Sequence, residues 1–152
     1  MDPDQRRAFE AFVADAEPRL RRALIATYGF ELGREATANA LGWAWEHWNR
    51  LDKIANKVAY LYRVGKSSIR RRKVPITFVR GEDSESWFEP NLAPALAALT
   101  DRQRTAVVLI HGFRWTLREV ADLTGTHIGT VQSHLDRGLH NLRITLEVSD
   151  NA

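Results

Sequence analysis

The feature that most constrains the fold is a helix-start signal followed by a glycine turn near the C-terminus. Residues 116–119, TLRE, have the form of a capping box, which satisfies the first free backbone N–H groups of a helix. The helix that it opens carries Ala121 at its middle and ends at Gly125, and the apolar Val131 follows. A small residue, a positive-φ turn and an apolar anchor are what a helix-turn-helix requires.

The helices on either side of this motif follow from similar signals. Residues 100–103, TDRQ, form a second capping box, and the helix that it opens is closed by Gly112. The last helix begins at about Ile128, and its predicted buried stripe is Val131, Leu135, Leu139, Leu142 and Leu146. Its polar side chains, suited to base edges and phosphates, are Thr130, Gln132, Ser133, His134 and Arg137. A plain helical hairpin with a solvated outer face is the alternative.

Residues 1–73 predict a three-helix bundle. Asp2 and Pro3 are typical of a helix start, Gly29 of a helix end, and Pro75 prevents any helix from continuing past it. The predicted helices span residues 2–29, 33 to about 51, and about 56–73.

Charge divides the chain into three parts. Residues 1–73 carry a net charge of +6, residues 74–92 carry −3, and residues 93–152 are neutral. The middle part has no helical period, which favours a flexible acidic linker, with Phe78, Trp87 and Phe88 as the side chains able to pack against a domain. We therefore predict an all-α protein with an N-terminal domain at 1–73, a linker at 74–92 and a C-terminal domain at 93–148.

Several function classes are excluded by composition. The chain has no cysteine, so disulfides, thiol catalysis and cysteine-ligated zinc are ruled out. The histidines at 127, 134 and 140 lack the i, i+4 spacing of a helical metal site, and neither a phosphate-binding loop nor a clustered acid pair occurs. We predict no enzyme activity, cofactor or metal. With no apolar run near the roughly 18 residues of a membrane span, we expect no membrane insertion and a cytoplasmic location.

Two segments carry a family resemblance. The stretch from Leu96 to Arg143, with "LTDRQR", "LREVADLTG" and "GTVQSHLDRG", resembles region 4 of bacterial sigma-70-family factors. The upstream "ANALGWAWEHWNRL" and "YLYRVGKSSIRRRK" are similar to region 2 of the two-domain extracytoplasmic-function group. The order of the two segments and the linker between them also match.

The resemblance implies a factor that binds core RNA polymerase and directs promoter-specific initiation. Region 2 would recognise and help to melt the −10 element through Tyr60, Arg63, Lys66, Ser67, Arg70 and Arg71. Region 4 would recognise the −35 element through the five polar residues of the last helix. The implied polymerase-binding residues are Glu35, Asn39, Trp43, Glu46 and Arg50. Tyr62 is expected in the core, and an anti-sigma factor or accessory activator is a candidate partner.

Two departures from the family pattern leave alternatives open. Residues 35–39, EATAN, replace an acidic stretch, which predicts a weaker or differently composed polymerase contact. Trp43 is either an outward interface anchor or part of one core with Trp45 and Trp48. Asp136 makes the last helix less basic than its relatives. A stand-alone helix-turn-helix regulator, with residues 1–73 as a dimerisation or ligand domain, is the second interpretation.

Overall fold

The computed structural model describes residues 1–69, 76–78 and 92–150 of the chain. Within these residues the secondary structure is helical and no strand occurs, as the sequence predicts. The N-terminal helices are α1 (Pro3–Glu46), α2 (Trp48–Leu51) and α3 (Lys57–Ser68). The C-terminal helices are α4 (Leu92–Ala97), α5 (Asp101–Val107) with a π-helical continuation (Val108–Gly112), α6 (Leu117–Thr124) and α7 (Ile128–Asp150).

Helix α1 contains the first predicted helix and most of the second, whose last residues form α2. Its start is as predicted, because the Asp2 side chain accepts a hydrogen bond from the Gln5 backbone N–H at 2.8 Å and Pro3 occupies the first turn. Gly29 breaks the helix with φ 84° and ψ 179°, but helical geometry resumes at once instead of at Gly33. The Phe30 N–H, which this break frees from the helix, donates to the Thr77 carbonyl at 2.7 Å.

The third predicted helix is shorter than expected. Asn56 caps α3 by accepting from the Ala59 N–H at 3.1 Å, and the helix ends at Ser68 instead of Lys73. Gly65 faces α1 so closely that a methyl group added to it would lie 2.9 Å from a Leu24 methyl carbon. This close approach buries Leu61 and Tyr62, so Tyr62 belongs to the core as predicted.

The C-terminal helices begin and end where their caps predict. Thr100 and Thr116 both form reciprocal capping boxes, and Gly125 ends α6 in the left-handed region with φ 68°. Val131 anchors α7 in the core at 2% exposure. The short helix α4 lies at the boundary between the predicted linker, 74–92, and the predicted C-terminal domain, 93–148, and the sequence analysis predicts no helix there.

The two halves of the chain share one buried core, which the prediction of domains on a flexible linker did not anticipate. Helix α1 packs against α5, and α3 packs against α6. Within the predicted linker, Phe78 is completely buried and Thr77 bonds to α1, so residues 76–78 are fixed on the N-terminal helices. Trp87 and Phe88, the other linker residues expected to pack, lie outside the described residues.

Candidate nucleic-acid interface

The helix-turn-helix consists of α6, the turn at Gly125 and α7. The Thr126 N–H donates to the Ala121 carbonyl at 3.0 Å, which closes the turn after α6. Ala121 and Val131 are both buried between the helices, in the roles that the sequence assigns to them. The geometry therefore has the form of a unit whose second helix can enter a major groove.

The polar residues predicted on α7 fall into two groups. Ser133 and Arg137 are exposed, whereas Thr130, Gln132 and His134 are half-buried. Gln132 donates to the Asp136 carboxylate at 2.8 Å, so its amide is partly engaged within the helix. The exposed residues are the ones available to DNA in this arrangement.

His134 lies against the N-terminal half of the chain. It lines a cavity with Tyr62 and Lys66 of α3 and with Asp101 and Arg102 of α5. Burial lowers the pKa of His134, and the nearby charges of Arg102 and Arg137 lower it further. The neutral imidazole is therefore the favoured form in this arrangement.

The predicted −10 residues of α3 lie on different sides of the helix. Tyr60, Arg63 and Ser67 line an open groove together with Trp43 and Val64. Lys66 instead lines the cavity that holds His134, with its ammonium nitrogen 5.3 Å from the centre of the Tyr62 ring. Burial lowers the pKa of Lys66, and Arg102 and Arg63 act in the same direction. Arg70 and Arg71 lie outside the described residues.

The predicted polymerase-binding residues follow one side of the second half of α1 and reach α2. Asn39, Glu46 and Arg50 are exposed, and Glu35 is half-buried. Asn39 donates to the Ser68 hydroxyl at 3.1 Å, which joins this surface to the end of α3. The surface therefore adjoins the groove on α3.

Trp43 is neither fully outward nor part of one tryptophan core. Its ring stacks on His47 with 4.4 Å between centroids and meets Tyr60 at 5.4 Å. Trp48 is buried against Phe12, whereas 42% of Trp45 is exposed. Trp43 thus forms a wall of the α3 groove, and its observed position is intermediate between the two predicted alternatives.

The sequence analysis missed a buried arginine between the two halves. Arg104 of α5 is 0% exposed and bonds to α1, although α5 was expected to pack within the C-terminal domain alone. The sequence signal was its spacing, because Arg104 precedes the buried Val107 and Val108 by three and four residues. An arginine on an apolar stripe indicates a buried polar partner.

The described residues also bear on metal binding and on membrane insertion. Among residues 1–69, 76–78 and 92–150 there is no group of three or more histidine and acidic side chains placed to hold a metal ion. In the same part of the chain, no helix combines the length and apolar character needed to cross a membrane.

Residues 91–142 match the family model described as Sigma-70, region 4. This part of the chain is similar to sigma-70 region 4. The match covers the helix-turn-helix and confirms the resemblance that the motifs of this segment predict. None of the curated proteins matches the chain significantly.

The fold of the chain as a whole is that of a solved sigma factor. The structure of RpoE from Bartonella quintana, in complex with the anti-sigma factor NepR, matches with a TM-score of 0.69. The match covers 93% of this chain and 98% of that chain at 20% sequence identity. The likeness in fold extends beyond residues 91–142 to the N-terminal helices.

Proposed function

We propose that the chain is an extracytoplasmic-function sigma factor that binds core RNA polymerase and directs initiation at specific promoters. The observation that carries this proposal is the joint occurrence of a sigma-70 region 4 domain and a sigma-factor fold that extends over the N-terminal helices. Such a factor acts by binding, so we expect no catalytic activity of its own. Its place of action is the cytoplasm, where the polymerase works.

In this proposal α7 contacts the −35 element. A helix in the major groove reads base edges with its outward side chains, and Arg137 is exposed on α7. The net charge of residues 93–152 is zero, so we expect weak binding of DNA by this part alone. Attachment to polymerase raises the effective concentration of region 4 at the promoter and allows a weak module to act.

The end of α3 and the residues that follow it supply the contacts to the −10 element. Arg63 and Ser67 are exposed on the α3 groove, and the sequence continues with Arg70 and Arg71. Tyr60 and Trp43 provide aromatic surfaces in the same groove, on which an unstacked base can pack. Capture of unstacked bases lowers the free energy of the open promoter and needs no fuel from the factor.

Polymerase binding is proposed for the α1 surface that contains Asn39, Glu46 and Arg50. Its exposed polar side chains and half-buried Trp43 have the composition of a protein interface. The RpoE structure is a complex with an anti-sigma factor, so a protein inhibitor of that kind is a further proposed partner of this chain.

The deciding experiment is reconstitution. The purified chain is mixed with bacterial core polymerase, and the mixture is tested by gel filtration and by transcription from genomic DNA with mapping of start sites. We expect co-elution and transcripts that begin at a defined set of promoters. DNA binding without co-elution or initiation would instead establish the stand-alone regulator.

A matched pair of variants locates the polymerase contact. Glu46→Ala and Glu10→Ala each remove one exposed carboxylate from α1, at opposite ends of the helix. We expect Glu46→Ala to weaken polymerase binding several-fold and Glu10→Ala to leave it unchanged. Equal effects of the two substitutions would contradict polymerase binding at the proposed surface.

A further inference from the structure

A cavity lined by residues of α3, α5, α6 and α7 brings basic side chains together. Lys66 of α3, Arg102 of α5 and His134 of α7 reach this cavity from three different helices. Lys66 and Arg102 are exposed, so they lie at its mouth, whereas His134 is half-buried. The three side chains form a basic surface that no single helix provides.

The acidic side chain at the cavity is already paired. Among the described residues that line it, Asp101 is the one acid. Its carboxylate accepts a hydrogen bond from Nη2 of the buried Arg104 at 2.8 Å and forms an ion pair with that guanidinium. Of the ion pairs within residues 1–69, 76–78 and 92–150, none includes Lys66 or Arg102. The described part of the chain therefore leaves the positive charge of the cavity without a counter-ion of its own.

The basic groups of the cavity destabilise one another's charged forms. Burial lowers the pKa of Lys66, and the charge of Arg102 acts in the same direction against a smaller number of acidic neighbours, of which Asp101 is one. Burial also lowers the pKa of His134, and Arg102 again lowers it further. The same guanidinium thus acts on both groups. An anion placed among the three would be attracted by each of them and would favour their charged forms.

The buried Nε2 atom of His134 makes no hydrogen bond within the residues that the structure describes. Leaving a buried ring nitrogen unpaired costs about as much free energy as a lost hydrogen bond, so a group from outside the chain is expected to satisfy it. His134 lines the cavity, and a ligand oxygen there can accept a hydrogen bond from the ring.

A hydroxyl group adds a neutral donor to the lining. The hydroxyls of Thr124 and Thr126 lie 2.9 Å apart, and the Thr124 hydroxyl donates to the Val120 carbonyl at 2.8 Å. The Thr126 hydroxyl therefore keeps a proton that it can donate either to Thr124 or to a ligand in the cavity. The lining thus combines charged and neutral hydrogen-bond donors.

The size of the cavity selects a small ligand. Its volume is about 70 Å³. Because one water molecule needs roughly 10–15 Å³ of such a volume, the cavity holds on the order of five heavy atoms. A tetrahedral oxyanion, with one central atom and its surrounding oxygens, matches this size. A DNA duplex is too large to enter, whereas a small organic group attached to the anion can project from the mouth into solvent.

We propose that this cavity binds a tetrahedral dianion, either inorganic phosphate or the phosphate group of a small phosphomonoester, between Lys66, Arg102 and His134. The guanidinium of Arg102 can donate two parallel hydrogen bonds to two phosphate oxygens, and the ammonium of Lys66 adds a mobile charge. The bound anion contacts three helices at once, so it stabilises their packing. The site requires neither polymerase nor a promoter and is distinct from the proposed function.

The first experiment measures anion binding by the full chain without polymerase or DNA. Phosphate, sulfate and glycerol 3-phosphate are each titrated by calorimetry, with chloride at equal ionic strength as the reference. We expect saturable binding of one anion per chain with a dissociation constant of about 1 mM or lower, given three hydrogen bonds to charged groups. Tighter binding of glycerol 3-phosphate than of phosphate would identify a phosphomonoester as the ligand, and the reverse would identify the free ion.

A matched pair of variants locates the anion. Lys66→Gln with Arg102→Gln removes two exposed cations from the cavity, and Lys53→Gln with Arg143→Gln removes an exposed lysine and arginine elsewhere. We expect the cavity variant to weaken anion binding about tenfold or more and the control to weaken it less than about twofold. Equal weakening by the two variants would overturn the proposal. So would binding by the unmodified chain that does not exceed the chloride reference.

The second experiment leaves the cavity intact. NMR titrations in sulfate and in chloride, at equal ionic strength, follow the ring signals of the five histidines, with His134→Gln to assign the signal of His134. We expect the pKa of His134 to be higher in sulfate, because a bound dianion favours the imidazolium form. An equal response to sulfate at all of the histidines, or none at His134, would overturn the proposal.

Thermal unfolding provides a third measurement. Sulfate at ten times its dissociation constant should raise the Tm of the unmodified chain by about 3 °C or more relative to chloride, and the cavity variant should show no such rise. An equal rise in the cavity variant would contradict binding at the cavity. Because none of these measurements contains polymerase or promoter DNA, a failure of anion binding would leave the proposed function standing.

Discussion

The two helices proposed to contact DNA, α3 and α7, offer different kinds of interaction. Helix α3 exposes Arg63 and Lys66 and is followed in the sequence by four further cations, residues 70–73. On α7 the exposed Arg137 is next to Asp136, which already accepts a hydrogen bond from Gln132. The difference indicates a division of work, in which α3 supplies electrostatic affinity and α7 supplies a small number of base-specific contacts.

The two helices also differ in how a glycine seats each of them. A methyl group on Gly65 of α3 would lie 3.0 Å from the Ala36 backbone oxygen and 2.9 Å from Leu24. A methyl group on Gly129 of α7 would meet no atom within 4 Å. A backbone oxygen in the middle of a helix cannot move aside, whereas open space accommodates an added methyl group.

The largest expected effect follows from this contrast. Gly65→Ala should lower the free energy of unfolding by about 2 kcal/mol, because overpacking outweighs the gain in helix propensity. Gly129→Ala should change it by less than about 1 kcal/mol, because the added methyl group meets no atom. Urea unfolding followed by circular dichroism measures both, and a larger loss for Gly129→Ala would contradict the proposed difference.

The second prediction tests the electrostatic role of the basic segment after α3. Arg70→Ala with Arg71→Ala should reduce promoter opening about tenfold and flatten the slope of log K against log salt by roughly 1.4 to 1.8, since each phosphate contact contributes about 0.7 to 0.9. Polymerase binding should change less than twofold. Permanganate footprinting and salt titration provide the measurements, with Arg7→Ala and Arg143→Ala as exposed control substitutions. An unchanged salt slope would contradict phosphate contact by these residues.

The third prediction concerns specificity. Arg137→Ala should weaken initiation about fivefold at promoters with a strong −35 element and have little effect elsewhere, because a base contact is worth ~1–3 kcal/mol only where the base is present. The matched control is Arg143→Ala, an exposed arginine further along α7. Initiation is compared on templates with intact and scrambled −35 elements. Equal losses on both templates would indicate backbone attraction alone.

The smallest expected effect is a pH dependence of the free energy of unfolding. The pKa of His134 lies below its ordinary value in the folded chain, so the folded and unfolded states bind the same number of protons well above pH ~6.5. As the pH falls through and below about 6.5, the unfolded state takes up the proton more readily, and the free energy of unfolding decreases. The groups around this histidine are Lys66, Asp101, Arg102 and Arg137.

Urea unfolding, measured from about pH 8 to 5.5 around the ordinary histidine pKa, detects this change. His134→Gln should flatten the profile in this range. A profile that the substitution leaves unaltered would assign the pH dependence to other groups.

The C-terminal half could be predicted in detail because its structure is set by local chemistry. A hydroxyl three residues before a Gln or Glu determined the starts of α5 and α6, and Gly125 determined the end of α6. The family resemblance of this segment depends on the same residues, and it is confirmed by the region 4 match.

The N-terminal half could be predicted only in outline because tertiary contacts override its local signals. Gly29 breaks α1 without ending it, since Thr77 satisfies the freed N–H of Phe30 from a distant part of the chain. The burial of Arg104 against Thr27 likewise depends on how two remote helices meet. Neither contact has a signature within a short window of sequence.

The anchoring of Phe78 on α1 has a consequence for how far the halves can separate. Between Phe78 and Leu92 there are thirteen residues, 79–91, and a chain of that length spans at most about 50 Å. Over so short a reach, each half experiences the other at a local concentration on the order of millimolar. A contact that would be weak between separate molecules can therefore hold the two tethered halves together. A partner that binds the contact surface of one half must compete with the other half for that surface.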